Sequence, residues 1–295
     1  KISGRVKEIS NKNGEIAGTE TVKLIGDKLD NFSGLIKSNG KIALDIKETS
    51  NVKGYILSDG LTKEDVKKEE NKNQKGTENT KNKEKGIEIT GDLDNREGAI
   101  RGREISLGNL TGNNKGKIDS IGALTFNGKT IVNKGGLIKG NIQELNADKL
   151  INDEGKLLST EKISGTAKET SNKNGEILGV KTVTLVGDKL NNLSGVVRSY
   201  GKVKLNEKDV SNVEGYILSD GITKEQAQNW KVEEKAIEEL VKKQIVIKKQ
   251  ISKKLLNITL PYFYFLYTSQ LFLKFLNKLY NFLKNIIFYK SIIHF

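Results

Sequence analysis

The sequence predicts an all-β chain, a parallel β-helix (β-solenoid) built from coils of about 20 residues, and three observations predict it. Asparagine recurs at near-constant spacing, glycine follows each asparagine by three positions, and an aliphatic residue follows each glycine by two. Self-similarity at this period is the signature of a stacked-repeat architecture, in which one unit cannot bury its apolar face until a neighbour covers it.

The asparagines are Asn11, Asn31 and Asn51, then Asn95, Asn113, Asn133, Asn152, Asn172, Asn192 and Asn212, each step within a run lying close to one coil's length. Their glycines are Gly14, Gly34, Gly54, Gly98, Gly116, Gly136, Gly155, Gly175, Gly195 and Gly215. The aliphatic residues are Ile16, Ile36, Ile56, Ile100, Ile118, Ile138, Leu157, Ile177, Val197 and Ile217. A longer period lies over the first, since Lys1 to Glu64 returns at Lys162 to Glu225. Thus Gly54-Tyr55-Ile56-Leu57-Ser58-Asp59-Gly60 reappears as Gly215-Tyr216-Ile217-Leu218-Ser219-Asp220-Gly221, a duplication of a multi-coil block.

One unit, Leu29 to Leu44, shows what a coil is. Leu29 precedes the Asn-x-x-Gly turn, Ile36 follows it, and after Gly40 come Ile42 and Leu44 at a spacing of two. Period-two aliphatics between Gly- and Asn-rich breaks indicate two or three short strands per coil. Stacking in register pairs each strand with its counterpart one coil away, at a rise of about 4.8 Å. Turn chemistry accounts for the repeated polar residues: glycine reaches positive φ freely, and asparagine tolerates the left-handed region. Stacked asparagine side chains can also bond one another along the axis.

The repeat divides the chain into coils over residues 1–63 and again over 87–223, with a charged, disordered insertion at 64–86 interrupting the shaft. That insertion has Val66 as its only aliphatic residue, too little apolar area to offset ordering. Residues 224–254 lack glycine and carry a helical pattern: Glu234, Ile237, Leu240 and Val241 fall near one face, and Trp230 opens the stretch as a packing contact ending the solenoid. Residues 255–295 hold seven of the nine Phe and five of the eight Tyr and no acidic residue. Three readings fit this tail: a membrane-associated segment, since Leu255 to Leu273 is uncharged throughout and long enough to span a bilayer; a folded cap; or the translation of A/T-rich sequence past a frameshift. Lys1 in place of an initiating methionine, with no leader pattern after it, reads as a fragment or a processed chain.

Composition excludes several chemistries. With no cysteine there are no disulfides, thiol nucleophiles or cysteine metal sites, and His294 is the single histidine, so no His-based triad or His metal cluster can form. No phosphate-binding glycine motif is present. Asp27, Asp30, Asp59, Asp92, Asp94, Asp119 and Asp188 are scattered, mostly in turns; a polysaccharide-acting β-helix enzyme, which would gather a small Asp set, is the least favoured reading. The expectation is no enzyme, no cofactor and no metal. Nor does the net charge of +13 point to nucleic acid: 13 basic and 5 acidic side chains lie beyond Thr223, and the repeats are close to balanced.

Leu93-Asp94-Asn95-Arg96-Glu97-Gly98-Ala99-Ile100 and Leu190-Asn191-Asn192-Leu193-Ser194-Gly195-Val196-Val197 resemble the filamentous haemagglutinin repeat of two-partner secretion exoproteins in Gram-negative bacteria. The resemblance covers about residues 1–223 and rests on the Leu-x-Asn-x-x-Gly-x-Ile register. It implies a right-handed β-helical shaft exported through an outer-membrane transporter partner and displayed at, or secreted from, the cell surface. The role it implies is adhesion to a host or bacterial surface receptor; the alternative is the stalk of a contact-dependent toxin-delivery protein.

Overall fold

Each Asn-x-x-Gly segment closes a tight turn in which the glycine N–H donates back to the asparagine carbonyl, as from Gly34 to Asn31 at 3.1 Å. A long strand leads into the turn and a short strand leaves it: Thr21–Asp30 before Asn31, and Leu35–Ser38 after Gly34. A two-residue corner then starts the next long strand, Lys41–Ser50. The structure, a computed structural model, describes residues 1–68 and 85–228, with positions 274, 277 and 278. In the unit Lys1–Lys224 the pattern repeats as a β-solenoid of about ten turns, numbered here coils 1 to 10 by their ladder asparagines. Of the second unit, Glu225–Phe295, residues 225–228 are helical, as are the three isolated positions. The proposed cap, Trp230 and the aromatic tail otherwise lie outside the described residues.

All pairings are parallel and join like to like. Long strand pairs with long strand, as Thr21 with Lys41 through Asp30 with Ser50, and short with short, as Leu35 with Tyr55. The sequence expectation of two or three short strands per coil is met where Ala123–Asn127 and Thr130–Val132 are separate. In most coils those two segments run on as one bent strand. The bend shows in burial: Val22 and Leu24 point inward, then the inward phase shifts to Leu29. The Asp27-Lys28 and Asp188-Lys189 pairs therefore sit at a bend inside long strands, Thr21–Asp30 and Thr182–Asn191, and not in a turn.

The inward positions form columns. Ile16, Ile36, Ile56, Ile100, Ile118, Ile138, Leu157, Ile177, Val197 and Ile217 stack one on another through all ten coils. From Ile36 to Val197 they are fully buried. Each such aliphatic side chain contributes about 1.5–3 kcal/mol by burial, so the column is a large part of what holds the stack together. A second column runs Val22, Ile42, Ile87, Ile105, Leu124, Gln143, Ile163, Val183. Gln143 is the exception, a fully buried amide whose Nε2 donates to the Leu158 carbonyl and whose Oε1 has no partner.

The expected break in the shaft at 64–86 is not there. The chain leaves coil 3 after Tyr55–Leu57 and returns as Gly86–Asp94, whose residues pair with Lys41–Ser50 of coil 3. Tyr55 pairs in turn with Ala99. The insertion thus replaces one two-residue corner, the place of Asn39-Gly40 in coil 2, and register on both sides brings the chain back. Its first residues are also ordered, against the expectation: Lys63–Lys68 form helix α1. Thr62 and Asp65 make a reciprocal capping box, the Thr62 N–H donating to the Asp65 carboxylate at 2.9 Å and the Asp65 N–H to the Thr62 hydroxyl at 3.3 Å. The remaining insertion residues, 69–84, lie outside the described part.

Candidate functional site

The repeated asparagines are the strongest signal in the sequence, and the structure gathers all ten into one ladder. Each Nδ2 donates to the Oδ1 of the next coil's asparagine at 2.7–2.8 Å, from Asn11 to Asn31 and on to Asn212. The step from Asn51 to Asn95 crosses the insertion at 2.7 Å, the same length as its neighbours. In most coils Nδ2 also reaches a main-chain carbonyl at the start of the next short strand, such as Leu35 from Asn11 at 3.1 Å and Glu176 from Asn152 at 3.1 Å. From Asn31 to Asn192 the side chains are fully buried. These ladder amides are turned inward and bonded to the coils on either side, so they present nothing to a ligand.

The glycines do a different job from the one expected. Positive φ falls on the residue between the asparagine and the glycine: Asn13, Ser33, Lys53, Glu97, Lys115, Gly135, Glu154, Asn174, Ser194 and Glu214. The glycine itself has an ordinary backbone and is required for space. A Cβ on Gly98 would collide with the Asn51 carbonyl oxygen of the coil below and lie 2.7 Å from Asn95 Oδ1 and 2.9 Å from Asn51 Nδ2. Holding nine non-glycine residues near φ +55° costs about 1 kcal/mol each, and it persists because the ladder on one side and the aliphatic column on the other fix the turn.

A second polar column went unread in the sequence. Seven residues after each ladder asparagine stands glycine or serine: Gly18, Ser38, Ser58, Gly102, Ser120, Gly140, Ser159, Gly179, Ser199 and Ser219. Several of the hydroxyls reach a corner carbonyl of the coil below, Ser38 to Glu20 at 3.0 Å, Ser120 to Arg103 at 3.1 Å and Ser199 to Val180 at 3.4 Å. The mixed identity hid it; small size at a fixed offset is the signal that could have found it.

Charges outside follow the same coil-to-coil logic. Lys47 Nζ lies 2.6 Å from Asp27, Lys168 2.8 Å from Asp148, and Lys208 2.7 Å from Asp188. These are neighbours in one outward column whose sign alternates from coil to coil, Lys7, Asp27, Lys47 and then Lys129, Asp148, Lys168, Asp188, Lys208. The hydrogen bond from Lys47 holds the Asp27 carboxyl below its usual range, with the Lys47 charge adding to it; Lys168 does the same to Asp148. Beside this column, Lys149 and Glu169 are 3.3 Å apart. Such exposed pairs add little stability, but a slip of one coil would set like charges together, so they help fix register.

The candidate acids are used up in the same way and do not converge. Asp27 and Asp188 hold lysines, Asp94 holds Arg96 at 2.6 Å, Asp30 faces Lys12 at 3.2 Å, and Asp119 faces Arg101 at 3.4 Å. Asp59 accepts from the Arg103 N–H at 2.8 Å, and Asp92 accepts from Asn109. Two open grooves mark the solenoid surface. One, of about 360 Å³, runs over the bend at Gly26, Asp27, Lys47 and Gly91; the other, of about 340 Å³, lies between Glu154, Lys156, Glu176, Arg198 and Lys224. In the first, the Thr90 hydroxyl donates to the Asp45 carboxylate at 3.0 Å on an exposed face. Among the described residues no three His, Asp or Glu side chains are grouped to hold a metal, and no helix is long and apolar enough to cross a membrane.

Comparison with family models, with curated proteins and with solved structures finds no match to this chain. The chain is a β-solenoid repeat protein by its own geometry.

Proposed function

We propose that this chain is a structural shaft segment of a surface-exposed or secreted bacterial adhesin of the filamentous haemagglutinin type, carried out of the cell by an outer-membrane transporter partner. The observation that supports the reading is the unbroken asparagine ladder through ten coils, with its polar groups spent on stacking. A molecule built this way offers length and an extended outer face, and contact with another cell is a task both can serve. Nine steps of about 4.8 Å put roughly 43 Å between the first and last turns. The receptor is a host or bacterial surface molecule met by that outer face.

Beads coated with the chain test the reading. Binding to host or bacterial cells that is blocked by soluble folded chain, and lost when the coat is heat-denatured, is the expected result. Equal binding by folded and denatured coats, or none by either to any cell type, rejects it.

A further inference from the structure

Asparagine is followed by glycine four times in the sequence, at Asn13-Gly14, Asn39-Gly40, Asn127-Gly128 and Asn174-Gly175. Asparagine is a heat-labile residue, and before glycine the reagent is the chain itself. The glycine nitrogen, once its proton is lost to hydroxide, attacks the carbonyl carbon of the asparagine side chain. The bond from that carbon to the amide nitrogen breaks, ammonia leaves and a cyclic imide remains. Water then opens the ring at either carbonyl, giving aspartate or isoaspartate, in which the main chain runs through the former side chain. The reaction needs a glycine N–H free to lose its proton, an asparagine side chain free to turn onto it, and a backbone free to follow. Glycine, with no Cβ, leaves the approach open.

The fold withholds these freedoms at three of the four sites. At two of them the glycine N–H donates to the carbonyl of a ladder asparagine, Gly14 to Asn11 at 3.1 Å and Gly175 to Asn172 at 3.3 Å. There the N–H of Asn13 is tied to the Phe32 carbonyl of the next coil at 3.0 Å, and that of Asn174 to Leu193 at 2.9 Å. Both residues are held at φ +52°. At the third site the Gly128 N–H donates to the Asn146 carbonyl at 3.1 Å, and Asn127 Oδ1 accepts from Asn146 Nδ2 at 3.0 Å.

Asn39 is different. It stands at the corner between Leu35–Ser38 and Lys41–Ser50. The Gly40 N–H donates to a side-chain hydroxyl, Ser38 Oγ at 3.1 Å, and not to a main-chain carbonyl. Among the described residues the Asn39 side chain makes no hydrogen bond. Exposure does not set it apart, since Asn13, Asn127 and Asn174 are exposed as well; the difference lies in the bonds.

The corner also tolerates the products. Ser-Asp-Gly already stands at Ser58-Asp59-Gly60 and Ser219-Asp220-Gly221, where the serine hydroxyl donates to the aspartate carboxylate at 2.6 and 2.8 Å. The longer backbone of isoaspartate falls where the stack absorbs extra chain, since residues 58–85 replace the same corner in coil 3 and the strands still pair.

We propose that Asn39 is a self-modification site of the shaft, converting to aspartate and isoaspartate in the folded protein, while the coils protect Asn13, Asn127 and Asn174. Each event adds one negative charge to the corner of coil 2, next to Asp59, whose N–H faces the Gly40 carbonyl.

Incubating the folded 295-residue chain at mildly alkaline pH and mapping its peptides by mass spectrometry tests this. The expected result is conversion at Asn39 several-fold faster than at each of the other three, with isoaspartate among the products and an unchanged melting curve. In urea the four rates should converge, because the difference lies in the fold. Gly40→Ala, at a backbone outside the positive-φ region, should slow Asn39 several-fold in a chain that still folds. Equal rates at the four sites of the folded chain, or a lead for Asn39 that persists undiminished in urea, overturn the proposal. So does a melting temperature that falls as conversion proceeds.

Discussion

Coils 3 and 10 share most of their sequence, from Lys41-Ile42 to Tyr55-Ile56-Leu57 and from Lys202-Val203 to Tyr216-Ile217-Leu218. With coil 4 above it, coil 3 buries Ile42, Leu44, Ile46 and Ile56 almost completely. Coil 10 holds the same conformation on one neighbour, and Val203, Leu205 and Ile217 remain partly open. A coil's sequence therefore specifies its own turns and strands, and its burial comes from the neighbour. Glu207, in place of Ile46, stands at the edge where no further strand pairs among the described residues.

That contrast makes the same substitution unequal at different heights in the stack. The largest difference is expected at the turn glycines. Gly98→Ala drives a Cβ into the Asn51 carbonyl between two covered coils, where nothing can give, and should cost about 3 kcal/mol. Gly215→Ala meets an equivalent contact with Asn192 at the open end, where the last turn can shift, and should cost clearly less in the same urea titration. Equal losses would mean that the terminal coil is as constrained as the interior.

Next come the ladder amides. Asn113→Ala removes bonds of 2.8 and 2.7 Å and strands the partners on both sides, about 2–3 kcal/mol for buried groups left unpaired. Asn212→Ala removes a single bond at the open end and should cost about 1 kcal/mol. Matching values for the two would contradict a cooperative ladder.

A smaller effect of opposite sign is expected inside an apolar column. Gln143→Leu replaces an amide with an unpartnered buried oxygen by the residue type of its neighbour Leu124, and should raise stability by about 1 kcal/mol. Destabilisation by chemical denaturation would show that the amide has a structural role that its hydrogen bonds do not reveal.

The smallest effect is local to coil 10. The Glu207 carboxyl is raised from 4.5 to about 7 in the fold by burial, and secondarily by the charge of Asp188, so its charged form disfavours the folded end. The penalty is absent below the unfolded value, grows as pH rises through the interval between the two, and is complete above the folded one. Because the group is partly open to solvent, the effect is no more than about 1 kcal/mol. Amide exchange of residues 202–211, corrected for intrinsic rates, should accelerate across this interval in the wild type and not in Glu207→Gln. An unchanged slope in that variant would assign the titration to another group.

The fold was largely legible, because asparagine, glycine and isoleucine at fixed offsets mark turn and core column together. What those residues do was less so. Glycine was credited with positive φ because turns commonly need it there, yet that conformation falls on residues as varied as Lys53 and Glu154, which carry no local signal. The need for glycine comes from the coil below, a contact made a full coil or more away in sequence. The serine and glycine column was overlooked because two identities share one steric requirement. Helix α1 starts at the Thr62–Asp65 capping pair, but so short a helix without an apolar stripe has no periodicity by which to predict it. The return of the chain across the insertion could not be read locally at all, since it is decided by the pairing of Lys41–Ser50 with Gly86–Asp94.

The central claim is that the solenoid is continuous across that insertion. It is tested most directly by replacing residues 59–85 with Asn-Gly, the corner that coil 2 uses, and following thermal unfolding by far-ultraviolet circular dichroism. A continuous solenoid predicts the β signal of the parent chain and one cooperative transition within a few degrees of it, lowered slightly by exposure of Leu57 and Arg101. Loss of the β signal, or two separate transitions for the coils before and after the junction, would contradict it.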